Sequence, residues 1–313
     1  MRLSFALVLL LPSVSFAQTE EMIEAAERKL ADQRTAKWVF AQEAPDGGFC
    51  VTPQDPNIDA KPVPSLRATN GAVRALKYLG FPLLKKEREK HAAFVLTCYD
   101  PKTGGFAEPG GKPDVTITSI GVMAAAELGI PHEKYAKAMD YLKENAKTFE
   151  EVRIGAAAVE AWGVKDCPFD LKPWVKIIER AIPNIAVDMP AHEFARDHGS
   201  ALAAWIRLLP GKDLGEPNIL AHAKYLDCQR TDGGWGKKGE KASDIETTYR
   251  VMRALMLLKE KPKDAKKLRE FIGSHRNKDG GFATKPGDKS SMSGVYYCAI
   301  VSKWLDDMEA AKK

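Results

Sequence analysis

Apolar residues recur along most of the chain at helical spacing, in segments of two alternating kinds. One kind carries a single apolar stripe opposite a charged face. Residues 135–147, YAKAMDYLKENAK, are the clearest case, and the pattern is that of a helix lying on a surface. Segments of this kind occupy 20–42, 84–98, 132–146, 170–181, 216–229 and 265–275. The other kind is more apolar and rich in Ala, Gly, Val and Leu. It occupies 65–80, 114–129, 150–163, 196–209, 244–258 and 291–305, with starts 36–49 residues apart. Paired glycines followed by an aromatic precede four of these inner segments, at 47–49, 104–106, 233–235 and 280–282. Glycine accepts the positive φ that helix ends and sharp turns need, and the aromatic can plug the space between neighbouring units. The spacing predicts an all-α chain of six helical hairpins, each a polar outer helix, a turn and an apolar inner helix. The units run roughly over 20–80, 84–129, 132–164, 170–210, 216–259 and 264–305.

Six hairpins can stack as an open solenoid or close into a ring. An open solenoid needs polar caps on its end repeats. The last inner segment here, GVYYCAIVSKWL, is as apolar as those in the middle. Closure into an (α/α)6 toroid buries both ends, so a single toroid over 18–313 is expected, its inner helices lining a central cavity. Helix starts carry capping signals. Ser243 with Glu246, and Thr148 with Glu151, have capping-box spacing. Asp114, after Pro113, is an N-cap candidate.

The first residues change the picture. Arg2, the apolar run from Phe5 to Leu11, and Ser15-Phe16-Ala17 form a secretory signal pattern over 1–17. The mature chain is expected to begin at Gln18 and to be exported, to the periplasm or the extracellular space. No later segment approaches the about 20 apolar residues of a membrane span. The formal charge is +5. Both signs are interspersed without a basic stripe, so nucleic acid is not an expected partner. Five cysteines leave at least one thiol without an intramolecular partner. A Cys50–Cys98 bridge would join neighbouring repeats, and Cys298 has the setting of a buried small hydrophobe.

The fullest unit runs from Gly233 to Leu258, GGWGKKGEKASDIETTYRVMRALMLL. With Gln229 and Asp232 it completes Q-x-x-D-G-G-W over 229–235, and 42–49 holds a looser copy. These motifs, with PDVTITSIGVMAAAELG over 113–129, resemble the prenyltransferase β-subunit and squalene-cyclase (terpenoid cyclase) repeat superfamily. The resemblance covers most of the mature chain and implies an α/α toroid. Two chemistries come with it. Prenyltransferase β subunits hold a catalytic zinc through an Asp-x-Cys at an inner-helix start and a His in the next inner helix. Counted from the glycine turn, Asp244 falls on the Asp, Glu246 on the Cys and Gly294 near the His. Zinc would thus need Asp244, Glu246 and a recruited third ligand such as His192 or His198. Without one, no cofactor is implied. Class II cyclases protonate their substrate with a D-x-D-D-T acid. Asp244-Ile245-Glu246-Thr247-Thr248 keeps the middle acid as Glu246 and replaces the next by Thr247.

The same residues have ordinary roles. Glu246 can close a helix cap and pair with Arg250 one turn on. His192, Glu193, Asp197 and His198 form a polar cluster near an inner-helix start, suited to capping or to binding water at the rim. Arg67 and Asn70 can hold an anionic group such as a diphosphate. Tyr249, Tyr296, Tyr297, Trp162 and Trp205 are candidates for the cavity wall. The leading expectation is an exported prenyltransferase-like toroid whose cavity binds an isoprenoid or other lipid-like ligand, any catalysis centring on Asp244 and Glu246. One rival is a non-catalytic scaffold that binds a protein partner at its rim. Another is a polysaccharide-acting toroid, with Glu193 or Asp197 facing Asp244 or Glu246 at the carboxylate spacing of about 5–10 Å that glycosidases use. The sequence leaves open whether the protein is an enzyme.

Overall fold

A computed structural model describes residues 16–53, 63–181, 191–211 and 228–310. Among these, α-helices and turns account for the architecture, and β pairing is confined to isolated bridges. Six inner helices are α2 (Leu66–Tyr78), α4 (Val115–Leu128), α6 (Phe149–Trp162), α8 (Ala191–Leu208), α9 (Ile245–Leu258) and α11 (Met292–Ala310). Each packs on the next, and α11 packs on α2, so the ring is closed. Outside it lie α1 (Phe16–Phe40), α3 (Lys85–Thr97), α5 (Lys137–Asn145), α7 (Lys172–Ala181) and α10 (Ala265–Ser274). The outer helix expected over 216–229 falls almost wholly outside the described residues, as do residues 1–15 of the expected signal sequence. Among the described residues no helix is long and apolar enough to cross a membrane.

The two sequence patterns have the expected fates. Outer helices bury one stripe, such as Ala138, Met139 and Leu142 of α5, or Leu268, Phe271 and Ile272 of α10. Inner helices are enclosed on most sides. In α4 even Thr118 and Ser119 are fully buried. Small residues there make room. A Cβ on Gly121 would stand 2.3 Å from the ring of Phe106, so the aromatic plug fits because this position is glycine.

Each glycine turn is tied to the inner helix that follows it. Gly233 has φ 96°, and a Cβ there would meet the Lys267 carbonyl oxygen at 2.2 Å, so glycine is required twice over. The aromatics Phe49, Phe106 and Trp235 are buried. Their backbone N–H groups donate to Thr69, Thr118 and Thr248 Oγ1 at 2.9, 3.0 and 3.0 Å. All three threonines lie four residues past the N-cap of their helix. Buried N–H groups need acceptors, and these threonines supply them.

Caps follow expectation in two places and depart from it in a third. Asp114 accepts from Ile117 N at 2.7 Å, and Thr148 with Glu151 closes a capping box. The Ser243–Glu246 box is not formed. Asp244 is the N-cap of α9 and accepts from Thr247 N at 2.8 Å. Ser243 Oγ donates instead to Asp232 at 2.6 Å, fastening the turn. Two good capping residues stand side by side, and Asp232 has claimed the first. Cys98 is a free thiol, so no bridge joins it to Cys50, and Cys298 is fully buried.

The ring is buckled between its ends. Thr35 Oγ1 donates to Gly280 O at 2.8 Å, and Trp38 Nε1 donates to Asp279 Oδ2 at 3.0 Å. Met292 N donates to Val51 O at 2.8 Å. The first outer helix thereby docks on the last glycine turn.

Candidate functional site

The inner helices all begin at one mouth of the toroid and end at the other. Between them lies a cavity of about 670 Å³, within the usual range for small-molecule sites. Its lining is mixed. Ile120, Met123, Ile154, Ala157 and Met292, with Tyr249, Tyr296 and Tyr297, supply aliphatic and aromatic surface. Interleaved with them are Arg67, Arg74, Lys77, Arg153, Arg207, Arg250 and Arg253, against Glu127, Glu160 and Glu246.

At the mouth where the helices begin, ions pair closely. Arg250 donates to Glu246 Oε1 at 2.7 Å and approaches Glu150 at 3.4 Å. Arg196 lies 3.5 Å from Glu246, and Arg153 donates to Glu150 at 2.9 Å. Burial raises the Glu246 carboxyl, but Arg250 and then Arg196 outweigh it and hold the group below the usual carboxylate range. Glu246 is therefore an ionised partner of arginine, the opposite of the raised acid that alkene protonation needs. Asp244 is not part of the cavity wall. One of its oxygens caps α9, and the other, Oδ2, is buried without a hydrogen-bond partner. His275 lies in its field. Burial lowers the His275 pKa, while a bond to Ala283 O and the charge of Asp244 oppose that without reversing it.

At the other end the cations are less well matched. Arg207 Nε is 2.9 Å from Glu160 Oε2, and Arg253 Nη1 is 4.0 Å from the same atom. Among the described residues no carboxylate pairs with Arg74. It donates to Tyr78 Oη at 3.1 Å, approaches Met123 Sδ at 3.6 Å, and lies 5.6 Å from the Tyr296 ring centre. The Nε atoms of Arg74 and Arg253 are buried without a hydrogen-bond partner among the described residues, whereas that of Arg207 is ion-paired with Glu160. Tyr249 stands among the three arginines. Its Oη accepts from Arg253 Nη2 at 3.0 Å and is 3.2 Å from Tyr296 Oη. Burial pushes the phenol up, but Arg253, Arg74 and Arg207 together bring it down to about 7. Burial keeps the neighbouring Tyr296 phenol raised.

The family model for the prenyltransferase alpha-alpha toroid domain matches residues 14–163 and 200–312. The chain belongs to this family. Among solved structures, this prenyltransferase toroid is similar to the type II terpene cyclase MstE from Scytonema. Identity there is 12% and the TM-score 0.61, covering 92% of this chain and 98% of that one. It is also similar to Candida albicans protein geranylgeranyltransferase-I complexed with GGPP. There identity is 13% and the TM-score 0.58, covering 76% of this chain and 84% of that one. A protein from Actinoplanes matches at 14% identity and TM-score 0.59, over 90% and 99% of the two chains. At such identities the likeness is one of fold. No curated protein matches the chain in sequence.

The zinc of the prenyltransferases can be tested against the residues in place, and they do not fit it. Asp244 caps its own helix and Glu246 is bound by arginine. Gly294 stands near the third ligand's position, where a Cβ would lie 2.3 Å from Phe282 O, so no side chain can replace the histidine. Among the described residues no three His, Cys, Asp or Glu are grouped to hold a metal. His198 is buried within α8 and does not line the cavity. The side chains of His192 and Glu193 lie outside the described residues. Asp197 is half-exposed beside Arg196.

Of the other expected residues, Arg67, Asn70, Tyr249, Tyr296 and Tyr297 line the cavity, and Asn70 Oδ1 is buried there without a partner. Trp162 and Trp205 are absent from its wall. Trp162 turns outward, stacks on His132 at 3.8 Å and donates to Asp166 O. The cluster that sequence reading missed is Arg74, Arg207 and Arg253. A signal was present. Arg74 and Arg253 each lie nine residues past the N-cap of an inner helix, flanked on both sides by two apolar residues.

Proposed function

We propose that this toroid is an exported binding protein whose cavity takes an isoprenoid or other lipid-like molecule bearing an anionic group. The observation that carries this reading is the mixed lining of the cavity. Aliphatic and aromatic side chains share a space of about 670 Å³ with seven cationic ones, which suits an amphiphile with a negative end. The neighbouring transferase and cyclase structures, described with GGPP and with a geranylgeranyl dihydroxybenzoate substrate, supply the isoprenoid class as the first to try. Binding is favoured over transfer or cyclisation because Asp244 serves as a helix cap and Glu246 as an ion-pair partner. The size of the cavity speaks against a toroid filled to serve as a scaffold. The polysaccharide reading needs Glu193 or Asp197 to face an available Asp244 or Glu246, and Asp244 caps α9 while Glu246 is engaged by Arg250.

The test uses the chain from Gln18 onward, titrated calorimetrically with geranylgeranyl alcohol, its monophosphate and its diphosphate. Saturable binding of at least one at micromolar concentration is expected. Failure of all three would overturn the isoprenoid reading. Export is checked separately by N-terminal sequencing of the protein recovered outside the cytoplasm, with Gln18 expected first.

A further inference from the structure

We infer that the end of the cavity where the inner helices finish is a phosphate-monoester subsite formed by Arg74, Arg207 and Arg253. The inference rests on the cavity being the ligand site. Its ground is a local imbalance of charge and hydrogen bonding. The three arginines come from α2, α8 and α9 and lie within one another's field. Among the described residues Glu160 is the one carboxylate that reaches them, by way of Arg207 and Arg253. With Tyr249 protonated two positive charges are left over, and the buried Nε–H groups of Arg74 and Arg253 lack acceptors. Buried cations are normally paired, because desolvation disfavours the charged form.

Helix C-termini at this end carry partial negative charge and ease the cost. They do not supply the missing Nε–H acceptors. Tyr249, whose Oη accepts from Arg253 Nη2 at 3.0 Å, sits in the same field. Burial would raise its phenol, yet the surrounding arginines bring it down to about 7, so its ionised form answers part of the charge until an anion is bound.

The chemistry of the ligand follows from the count. With Tyr249 protonated, as an arriving anion would hold it, the two uncompensated charges match a dianion. Three planar guanidinium forks arriving from three helices match an anion with several outward oxygens. A carboxylate would answer only one charge. This subsite lies at the opposite end of the inner helices from Asp244 and Glu246, so it is separate from the positions at which the family's motifs fall. A bound lipid phosphate would place its head here and run its chain past Ile120 and Ile154 toward the other mouth. Either a lipid phosphomonoester or free phosphate could supply the group.

Arg74→Met discriminates, because among the described residues no carboxylate pairs with Arg74 to be orphaned. The full mature chain and the variant are titrated with inorganic phosphate, geranylgeranyl monophosphate and geranylgeranyl alcohol, and their melting temperatures are compared. The monophosphate is expected to bind at least about tenfold more tightly than the alcohol, as one charge-assisted contact set warrants. Arg74→Met should erase most of that ratio while leaving the melting temperature of the free chain equal or higher. Phosphate binding that the variant weakens, with no binding of the alcohol and none of the monophosphate beyond that of phosphate itself, would uphold the subsite and sink the isoprenoid reading. Equal affinity for alcohol and monophosphate would overturn the subsite and leave the isoprenoid reading standing. A ratio unchanged in the variant, accompanied by a lower melting temperature, would make Arg74 a structural residue and overturn the inference. Absence of any phosphate or monophosphate binding would overturn it as well.

Discussion

Tyr249 allows the field inside the cavity to be measured at a single group. Its phenol is brought to about 7 against burial, by Arg253, Arg74 and Arg207, whereas an unperturbed phenol titrates near about 10. One of the eight tyrosines should therefore give tyrosinate absorbance with a midpoint near neutrality, and Tyr249→Phe should abolish that step. The sign for stability follows. Between the folded and unfolded pKa the native state holds fewer protons than the unfolded one, so stability rises with pH across this window. The contribution is complete above the unfolded value and is lost as pH falls through about 7. Urea unfolding of wild type and Tyr249→Phe at pH 6 and 9 should diverge at the higher pH, by at most about 3 kcal/mol. A constant difference would mean the phenol titrates normally. This residue was legible from the sequence as a cavity candidate, but its charge state was not. That depends on Arg253 one turn on and on Arg74 and Arg207, distant in the chain, each of which, read singly on an apolar helix, looks like a side chain reaching for solvent. Glu246 shows the same limit. Its pairing with Arg250 could be read from spacing, but Arg196 and the bond from Arg250 to Glu150 come from other helices.

At the scale of the element, the hairpin is held by small residues and threonines whose roles invert ordinary propensity. Replacing Gly121 by Ala in an isolated helix would gain about 1 kcal/mol. Here the new methyl would meet the buried Phe106 ring at 2.3 Å, and overpacking of that kind costs about 1–3 kcal/mol. Net destabilisation is expected in urea titration, and a gain would show that the plug yields easily. Thr248→Val keeps the shape but removes the acceptor of the Trp235 N–H. It should lose about 1–3 kcal/mol, the cost of a buried donor left without a partner, by the same measurement. Alternation of polar and apolar segments made the hairpins readable, because each helix pattern reflects its own surroundings. The threonine bonds were hidden because they join a turn to a helix 12 to 20 residues away. The cap of α9 was misread for a related reason. Spacing alone cannot tell Ser243 from Asp244 when the deciding partner, Asp232, sits in the preceding turn.

For the whole molecule the decisive feature is closure, and it has a thermodynamic signature. In an open solenoid each repeat touches only its neighbours, and a weakened end frays without unfolding the rest. In this chain α11 packs on α2, and α1 docks on the turn at Gly280, so first and last elements belong to one cooperative unit. Closure was anticipated from the apolar last helix. The particular clasp was not, since Trp38 and Asp279 are 241 positions apart. Trp38→Phe keeps most of the buried ring and removes only the donor to Asp279. The lost bond to a carboxylate should lower stability by about 1–3 kcal/mol. In a closed ring that loss must appear in the global transition, with tyrosine fluorescence from α9 and α11 and far-ultraviolet circular dichroism shifting together to lower urea. An open stack would instead lose helix signal from α1 first and leave the cavity tyrosines at their wild-type midpoint. Since the cavity exists only while six inner helices surround it, ligand protection should vanish at that same midpoint. A variant that damages the clasp should therefore release ligand and unfold in one step.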